Sequence, residues 1–278
     1  MAVWCPVVLA GDDDLIDAEK IIERFIDVSG GKHRFEALKN RVTHTTVAVP
    51  AFDLQGTVTS VQAPPNKAII ITELGSQGTT ERATNGEVAW ERRSRTGLRL
   101  LDDEEKKAFI RGTLFNAELN WKQVYKSAKT LAIADVEGKP AYKLEMTPIE
   151  GKPEIHYYDK DTGLRVKMTS TMVSQVGDIE VETLYQDYRE VDGFKLPFTT
   201  KQMFMEQGTT VIIDKVEHNI PMPEDRFAVP DDVKALLEKD KKTPAADAPA
   251  KSDVPAKSDA APKTDAPSKT DTPEKKPE

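Results

Sequence analysis

The order of apolar and polar residues along the chain predicts one helix followed by a long series of strands. Between residues 17 and 29 the apolar positions fall near one face of a helix, with Asp17 as its N-cap and Gly30-Gly31 as its stop. A shorter helix is expected at 34–39. From residue 42 onward, runs rich in Val, Thr and Ile alternate with turns that contain Pro or Gly, a pattern typical of β-structure.

Short turns join nearly all of these runs, so the sheet is predicted to be antiparallel, with about ten to twelve strands. Asn85-Gly86 and Asp192-Gly193 are the clearest hairpin signals. Residues 159–163, Asp-Lys-Asp-Thr-Gly, resemble the start of a calcium loop. Their glycine stands one position too early for that loop, and a tight turn between two strands is the better interpretation.

Alternation along the later strands gives the sheet one apolar face. Leu164, Val166, Met168 and Met172 share a face, as do Phe194, Leu196, Phe198 and Phe204. Such a face must be buried, and the helices predicted at 17–29 and 102–111 are the available cover. The predicted fold class is α+β and mainly antiparallel β: a large curved sheet, an incomplete β-barrel, with helices over its concave face.

Two or three short helices cannot fill the concave side of so large a sheet, so a cavity between helices and sheet is expected. The segment 102–111 is the predicted movable lid. Methionines on the sheet face suit varied apolar ligands, although core packing explains them equally well. The residues expected to line the cavity are Ile22, Phe25, Ile26, Ile69, Ile71, Trp90, Val166, Met168, Met172, Phe198 and Phe204.

Composition divides the chain into three parts. Residues 239–278 consist almost entirely of Ala, Pro, Lys, Asp, Ser and Thr, and such a segment cannot bury enough apolar surface to fold. Residues 15–238 form the predicted β domain, and residues 1–14 are an apolar stretch followed by an acidic linker. Formal net charge is −8, which argues against nucleic acid as a partner.

The N-terminal segment bears on localisation. Residues 2–10 are apolar and end in Val-Leu-Ala, and three aspartates follow abruptly after Gly11. One interpretation is the rear half of a signal peptide, which predicts an exported protein of the periplasm or cell envelope; the other is an untidy apolar N-terminus. Cys5 is the only cysteine. No later stretch approaches the ~20 apolar residues that a membrane span needs.

No catalytic motif stands out, so the protein is predicted not to be an enzyme. The four histidines, at positions 33, 44, 156 and 218, are far apart and show no metal-ligand spacing. There is no nucleophile elbow and no phosphate-binding glycine loop. Neither a metal site nor a cofactor is expected.

Several turns and hairpins together resemble a known family. The carrying motifs are 17–22 leading to the Gly30-Gly31 stop, Asn85-Gly86-Glu87 with Trp90, Asp159–Leu164, 188–197 (Tyr-Arg-Glu-Val-Asp-Gly-Phe-Lys-Leu-Pro), and the closing Phe227 and Pro230. This order is similar to exported bacterial proteins described as outer-membrane lipoprotein-sorting-like, relatives of the LolA/LolB carriers and the LppX-type lipid-binding proteins. The resemblance spans residues 15–230 and implies an incomplete barrel, a helical lid and an apolar cavity for acyl chains.

Three functions follow from these observations. The first is a periplasmic carrier or binding protein for a lipid or lipoprotein acyl chain, with a lipid or acylated protein and other envelope proteins as partners. The second is an envelope scaffold with a fully packed core. The third is an enzyme whose site is assembled only in three dimensions. A continuous cavity favours the first, a packed interior the second, and a buried polar cluster with shifted pKa values the third.

Overall fold

A computed structural model describes residues 15–174, 177–204 and 207–242. Its helices are α1 Ala18–Ser29, α2 Lys32–Ala37, α3 Asp103–Gly112 and α4 Asp231–Lys242. Its strands are β1 Arg41–Val49, β2 Leu54–Ala63, β3 Lys67–Glu73, β4 Thr79–Thr84, β5 Ala89–Arg93, β6 Gly97–Leu100, β7 Tyr125–Val136, β8 Lys139–Pro148, β9 Glu154–Asp159, β10 Arg165–Ser174, β11 Gly177–Val191, β12 Phe194–Phe204 and β13 Gln207–His218.

The strands form one antiparallel sheet in the order β6-β5-β4-β3-β2-β1-β13-β12-β11-β10-β9-β8-β7. β6 and β7 are its two edges, so the sheet is not closed into a barrel. This confirms the predicted α+β class. The sheet of the described residues has thirteen strands, one more than the upper estimate, because even the short β6 pairs along its length with β5.

Local signals placed most turns correctly. At the β11–β12 hairpin, Asp192 and Gly193 both have positive φ, as the predicted two-residue turn requires. Gln207-Gly208 also suggests a turn by its sequence, but Gln207 pairs with Phe204 and belongs to β13. Residues Trp121–Gln123 form a 3-10 turn. The first four residues of the tail predicted at 239–278 belong to helix α4, and the rest of that tail lies outside the described residues.

Helix α1 shows how strongly the sheet curves. Its N-cap is Asp17, whose side chain accepts a hydrogen bond from the amide of Glu19, as predicted. The helix touches β7 and also β12, which are five strands apart in the sheet. Five strand spacings in a flat sheet would span roughly 24 Å, about twice the diameter of a helix. The sheet therefore bends around α1, and α1 lies on its concave face.

The close contact between α1 and the sheet depends on Gly30. This residue has φ 150°, and a Cβ there would lie 2.7 Å from Cδ1 of Phe194. Phe194 in turn packs edge-on against Phe35 of α2, with ring centroids 5.1 Å apart. Any larger residue at position 30 would push the helix end away from β12.

The opposite face of the sheet carries a second apolar cluster. Paired positions on six successive strands share this face: Val42, Val61, Ile69, Ala83, Trp90 and Leu100. Helix α4 covers them with the fully buried Val233 and with Leu237. Arg41, the residue before Val42 in β1, points by alternation to the concave side, where its guanidinium carbon lies 5.8 Å from the ring centroid of Phe115.

Candidate functional site

A cavity of about 480 Å³ lies on the concave face between α1, α3, the segment that follows α3, and strands β7 to β10. Its walls combine apolar and ionisable side chains. The lining residues are Ile22, Phe25, Ala108, Arg111, Gly112, Ala117, Glu118, Trp121, Val124, Tyr125, Met146, Glu154, His156, Tyr158, Arg165 and Met168.

Helix α1 supplies the apolar roof. Ile22 and Phe25 are three residues apart, so they fall on the same helix face and point together toward the sheet. The ring of Phe25 packs against Tyr158 with 5.4 Å between centroids. Met146 of β8 is almost fully buried, and Met168 of β10 completes this part of the wall.

Strand β9 supplies a polar floor by alternation. Glu154, His156 and Tyr158 are two residues apart and share the inward face. The hydroxyl of Tyr125 donates to Glu154 Oε2 at 2.5 Å, and His156 Nε2 lies 3.1 Å from the same oxygen. His156 Nδ1 is 3.4 Å from the hydroxyl of Tyr158. The polar atoms of this floor therefore bond mainly to one another.

Burial and these contacts shift the pKa values of the floor. Burial alone would raise the pKa of Glu154, but hydrogen bonds from His156 and Tyr125 hold it below its ordinary value. Burial lowers the pKa of His156, and the nearby Glu154 only partly offsets this. Burial also raises the pKa of Tyr158 to about 12. At neutral pH the floor therefore consists of a carboxylate, a neutral imidazole and neutral phenols.

Arg165, the first residue of β10, is the unusual member of the cavity wall. Its guanidinium carbon lies 4.6 Å from the ring centroid of Tyr185 and 5.7 Å from that of Phe25. Its Nε is buried and has no hydrogen-bond partner within the described part of the chain. Burial alone would lower the pKa of Arg165, but Tyr185 and the other nearby groups outweigh it and raise the pKa, so the guanidinium stays charged.

Helix α3 covers one side of the cavity without burying any of its own residues. Its N-terminus is a capping box, in which Asp102 accepts from the amide of Glu105 while the Glu105 side chain accepts from the amide of Asp102. Glu105 also accepts two hydrogen bonds from Arg99 of β6, at 2.5 and 2.9 Å. Arg99 in turn pairs with Glu91 of β5, whose side chain is only 1% exposed.

The structure brings three of the predicted lining residues together in this cavity: Ile22, Phe25 and Met168. Ile26 belongs to the same apolar cluster but lines a neighbouring pocket with Trp121. Val166 lines a separate cavity of about 370 Å³ beside Tyr185, because the pairing of β10 with β9 is irregular between Arg165 and Lys167. That irregularity turns Arg165 and Met168, three residues apart, toward the same cavity.

The other predicted lining residues lie elsewhere. Ile69, Ile71 and Trp90 belong to the cluster under α4, on the opposite face of the sheet. Period-two alternation gives both faces of a strand but does not say which one meets the helices of the concave side. Met172 is 46% exposed near the end of β10, and Phe198 is buried beneath the guanidinium of Arg189. Phe204 is half-buried at the end of β12.

Sequence reasoning missed the ionisable residues of the site. His156 was noted only as one of four histidines without metal-ligand spacing, and neither Glu154 nor Arg165 was singled out. One signal was present: a short strand with Glu, His and Tyr at alternate positions has a polar inward face, which is costly unless the groups bond to one another. No residue spacing could show that Tyr125, 29 positions before Glu154, is the partner.

The described residues contain no group of three or more His, Cys, Asp or Glu side chains placed to hold a metal ion. Within the same part of the chain, every helix is too short or too polar to cross a membrane.

Comparison with solved structures identifies the architecture. An outer membrane lipoprotein-sorting protein domain from Vibrio parahaemolyticus superposes with a TM-score of 0.55 at 13% identity, over 76% of this chain and 97% of the other. The protein has a LolA-like fold. A LolA superfamily protein from Nitrosomonas europaea gives 0.54 at 14% identity, over 77% and 99% of the two chains. A DUF1329 family protein from Desulfovibrio piger gives 0.54 at 12% identity, over 77% and 98%.

At these identities the comparison establishes the LolA-like fold alone, so the function has to be argued from the residues of the site. No family model and no curated protein matches the chain. The similarity extends over nearly the whole length of each solved structure. The fold expected from the resemblance of turns and hairpins is thus confirmed.

Proposed function

We propose that this protein binds a lipid, or the acyl chain of a lipoprotein, in the cavity between α1, α3 and the sheet, and carries it within the cell envelope. The observation that supports the proposal is the cavity itself. It holds about 480 Å³ inside a LolA-like fold. Pockets for small ligands range from about 300 to 1,000 Å³.

The apolar part of the wall suits a hydrocarbon chain. Ile22, Phe25, Met146 and Met168 line it from the roof and the strands. Each methylene group that leaves water for such a wall contributes about 0.8 kcal/mol. Methionine side chains are unbranched and adaptable, so they accommodate chains of different shape.

The buried polar cluster has the shifted pKa values that would favour an enzyme, but its hydrogen bonds argue for binding rather than catalysis. A catalytic acid or base needs a free partner atom for its substrate. Glu154 instead already accepts hydrogen bonds from Tyr125 and His156, and the other ring nitrogen of His156 lies close to the hydroxyl of Tyr158. We assign this cluster a structural role as the floor of the cavity. A scaffold function with a fully packed core fits less well, because the core leaves this space open.

Export to the periplasm or envelope is part of the same proposal. It rests on the apolar residues 2–10 and on the solved LolA-like structures, one of which is a lipoprotein-sorting domain. The partners would be a lipid or acylated protein and other envelope proteins. Residues 1–14 and 243–278 lie outside the described residues.

Native mass spectrometry of the full chain purified from a bacterial periplasm tests the proposal, followed by denaturing lipid extraction. A co-purifying acylated species in near-stoichiometric amount is expected, together with binding of a fluorescent fatty acid. An empty protein that also fails to bind the probe would contradict the proposal.

A matched pair of variants ties binding to this cavity. Ala108→Trp puts a large side chain into the space beneath α3, and we expect it to lower the affinity for the fluorescent fatty acid about tenfold. Asp103→Trp is the control, because Asp103 lies on the same helix with its side chain 86% exposed and outside the cavity wall. Equal effects of the two variants would place the binding site elsewhere.

A further inference from the structure

We propose that Arg165 binds the acidic headgroup of an amphiphilic ligand whose apolar chain occupies the cavity. This inference rests on the proposed function and adds the chemical class of its ligand. It predicts that the protein prefers amphiphiles with a carboxylate or phosphate group over neutral ones with the same chain.

The first reason is that Arg165 is a charged group without a counter-ion. Among the described residues, no carboxylate forms an ion pair with it, its buried Nε has no hydrogen-bond partner, and its side-chain contact with Tyr158 is to a neutral hydroxyl. Charged groups in protein interiors are ordinarily paired, because removing a charge from water is costly. The missing partner of this guanidinium is an anion that enters the cavity.

The second reason is the way the guanidinium is held. The rings of Tyr185 and Phe25 lie 4.6 and 5.7 Å from its central carbon. Such cation–π contacts stabilise the charge of the guanidinium. Hydrogen-bond donors of a guanidinium lie along its edge, and this edge matches the two oxygens of a carboxylate or phosphate.

The third reason is that the other charges of the cavity are already engaged. Glu154 is bonded to Tyr125 and His156, and Arg111 donates to Glu150 at 3.2 Å. Glu118 is the exception. It lines the cavity and raises the pKa of Arg165 through its charge, yet it makes no ion pair with it.

Glu118 therefore has a specific part in the proposal. It lies on the segment between α3 and β7, on the wall of the same cavity as Arg165. The negative charge of Glu118 competes with the acidic headgroup for electrostatic attraction to the guanidinium of Arg165. Removing its charge strengthens the binding of an acidic ligand, whereas removing the charge of Arg165 weakens it.

The test compares a fluorescent long-chain fatty acid with its methyl ester at pH 8, using the full chain. We expect the wild type to bind the acid about tenfold more tightly than the ester, the size of one charge-assisted hydrogen bond. Arg165→Gln removes this preference and leaves the affinity for the ester within about twofold. Arg165→Lys keeps the charge but not the fork of donors, and we expect it to retain part of the preference.

Two further variants make the result specific. Arg189→Gln is the matched control, because Arg189 also lies over an aromatic ring, that of Phe198, but is paired with Asp187 and lies outside the cavity wall, so the preference should persist. Glu118→Gln should increase the preference for the acid. Thermal unfolding of each variant shows whether it folds, and a misfolded Arg165→Gln leaves Arg165→Lys and Glu118→Gln to decide.

Each contrary outcome has a distinct meaning. Equal binding of acid and ester by the wild type would overturn this inference and leave the proposed function intact. Binding of neither ligand would overturn the proposed function itself. Titration calorimetry compares inorganic phosphate with the fatty acid. If phosphate binds as tightly, the site binds free anions, and the proposal of an amphiphilic ligand is contradicted.

Discussion

Helices α3 and α4 cover opposite faces of the same sheet, and each makes an ion pair with a strand, but only α4 also buries an apolar side chain against the sheet. Helix α4 inserts Val233, which is fully buried, into a cluster that contains Trp90 and Ile69. Helix α3 has no buried residue and is fastened through Glu105 to Arg99. One face of the sheet is closed by apolar packing, and the cavity lies under the helix that is held by charges.

The difference has a physical consequence. Apolar burial contributes about 25 cal/mol per Å² and depends little on pH or salt. An ion pair between side chains that are more than one third exposed contributes at most about 1 kcal/mol and is screened by salt. The exposed fractions of Arg99 and Glu105 are 43% and 37%. We therefore propose α3 as the movable cover of the cavity, in line with the lid predicted at 102–111.

Truncating one tryptophan on each face of the sheet is expected to give the largest effect. Trp90→Ala removes a side chain that is 2% exposed, and we expect a loss of about 3–5 kcal/mol in the free energy of unfolding with little change in probe binding. Trp121→Ala removes a partly buried ring from the cavity wall. We expect it to lower the free energy of unfolding by less than half as much and to weaken binding of the fluorescent probe. Chemical denaturation and probe titration measure both quantities. A larger effect of Trp90→Ala on binding would refute the separation of the two regions.

Shortening the buried contact of α4 has the next largest effect. Val233→Ala removes two methyl groups from a fully buried position, and we expect a loss of about 2 kcal/mol. Hydrogen exchange should then increase in α4 and leave α3 unchanged. Leu236→Ala, at an only partly buried position of the same helix, is the control and should cost clearly less. Equal losses from the two variants would mean that α4 is not anchored by Val233.

Acid weakens the attachment of α3. The hydrogen bonds from Arg99 lower the pKa of Glu105 to about 2, below the value of an ordinary glutamate. A carboxyl whose pKa is lower in the folded state stabilises that state above about pH 4.3, and the contribution disappears as pH falls toward 2. We expect Glu105→Gln to lower Tm by less than about 4 °C at pH 6 and by nothing near pH 2. Thermal unfolding over this pH range measures the difference, and a constant difference would contradict the assignment.

Salt should produce the smallest effect. At 1 M salt the Debye length is about 3 Å, so the pair of Arg99 and Glu105 is largely screened. We expect hydrogen exchange in α3 to increase by a factor of about two, while exchange in α4 stays the same or slows. An equal response of both helices would remove the contrast between charge-held and apolar-held covers.

Local signals were enough for most elements of the fold. The α1 helix follows from the spacing of Ile22, Phe25 and their neighbours and from the Asp17 cap, and the β11–β12 hairpin follows from Asp192-Gly193. Asp159 also behaves as its turn sequence suggests. Its carboxylate accepts from the amides of Asp161 and Thr162, so the loop closes on itself.

The site was only partly predictable for the same reason. Ile22, Phe25 and Met168 were expected in the cavity and line it, whereas Trp90 and Ile69 were expected there and lie under α4. Both sets are apolar and alternate correctly along their elements. The face that each set occupies depends on contacts with helices distant in sequence, which no local pattern contains.

The sequence by itself determined the helices, the strands, the turns and the antiparallel class, because each depends on residues a few positions apart. Only the tertiary structure decided how the sheet bends around α1, which face α4 covers, and that Arg165 lines the cavity with no ion-paired carboxylate among the described residues. These features depend on contacts over tens to more than a hundred positions, such as that of Arg165 with Phe25. A propensity or a period is local, whereas the burial of a charge is a property of the whole packed sheet.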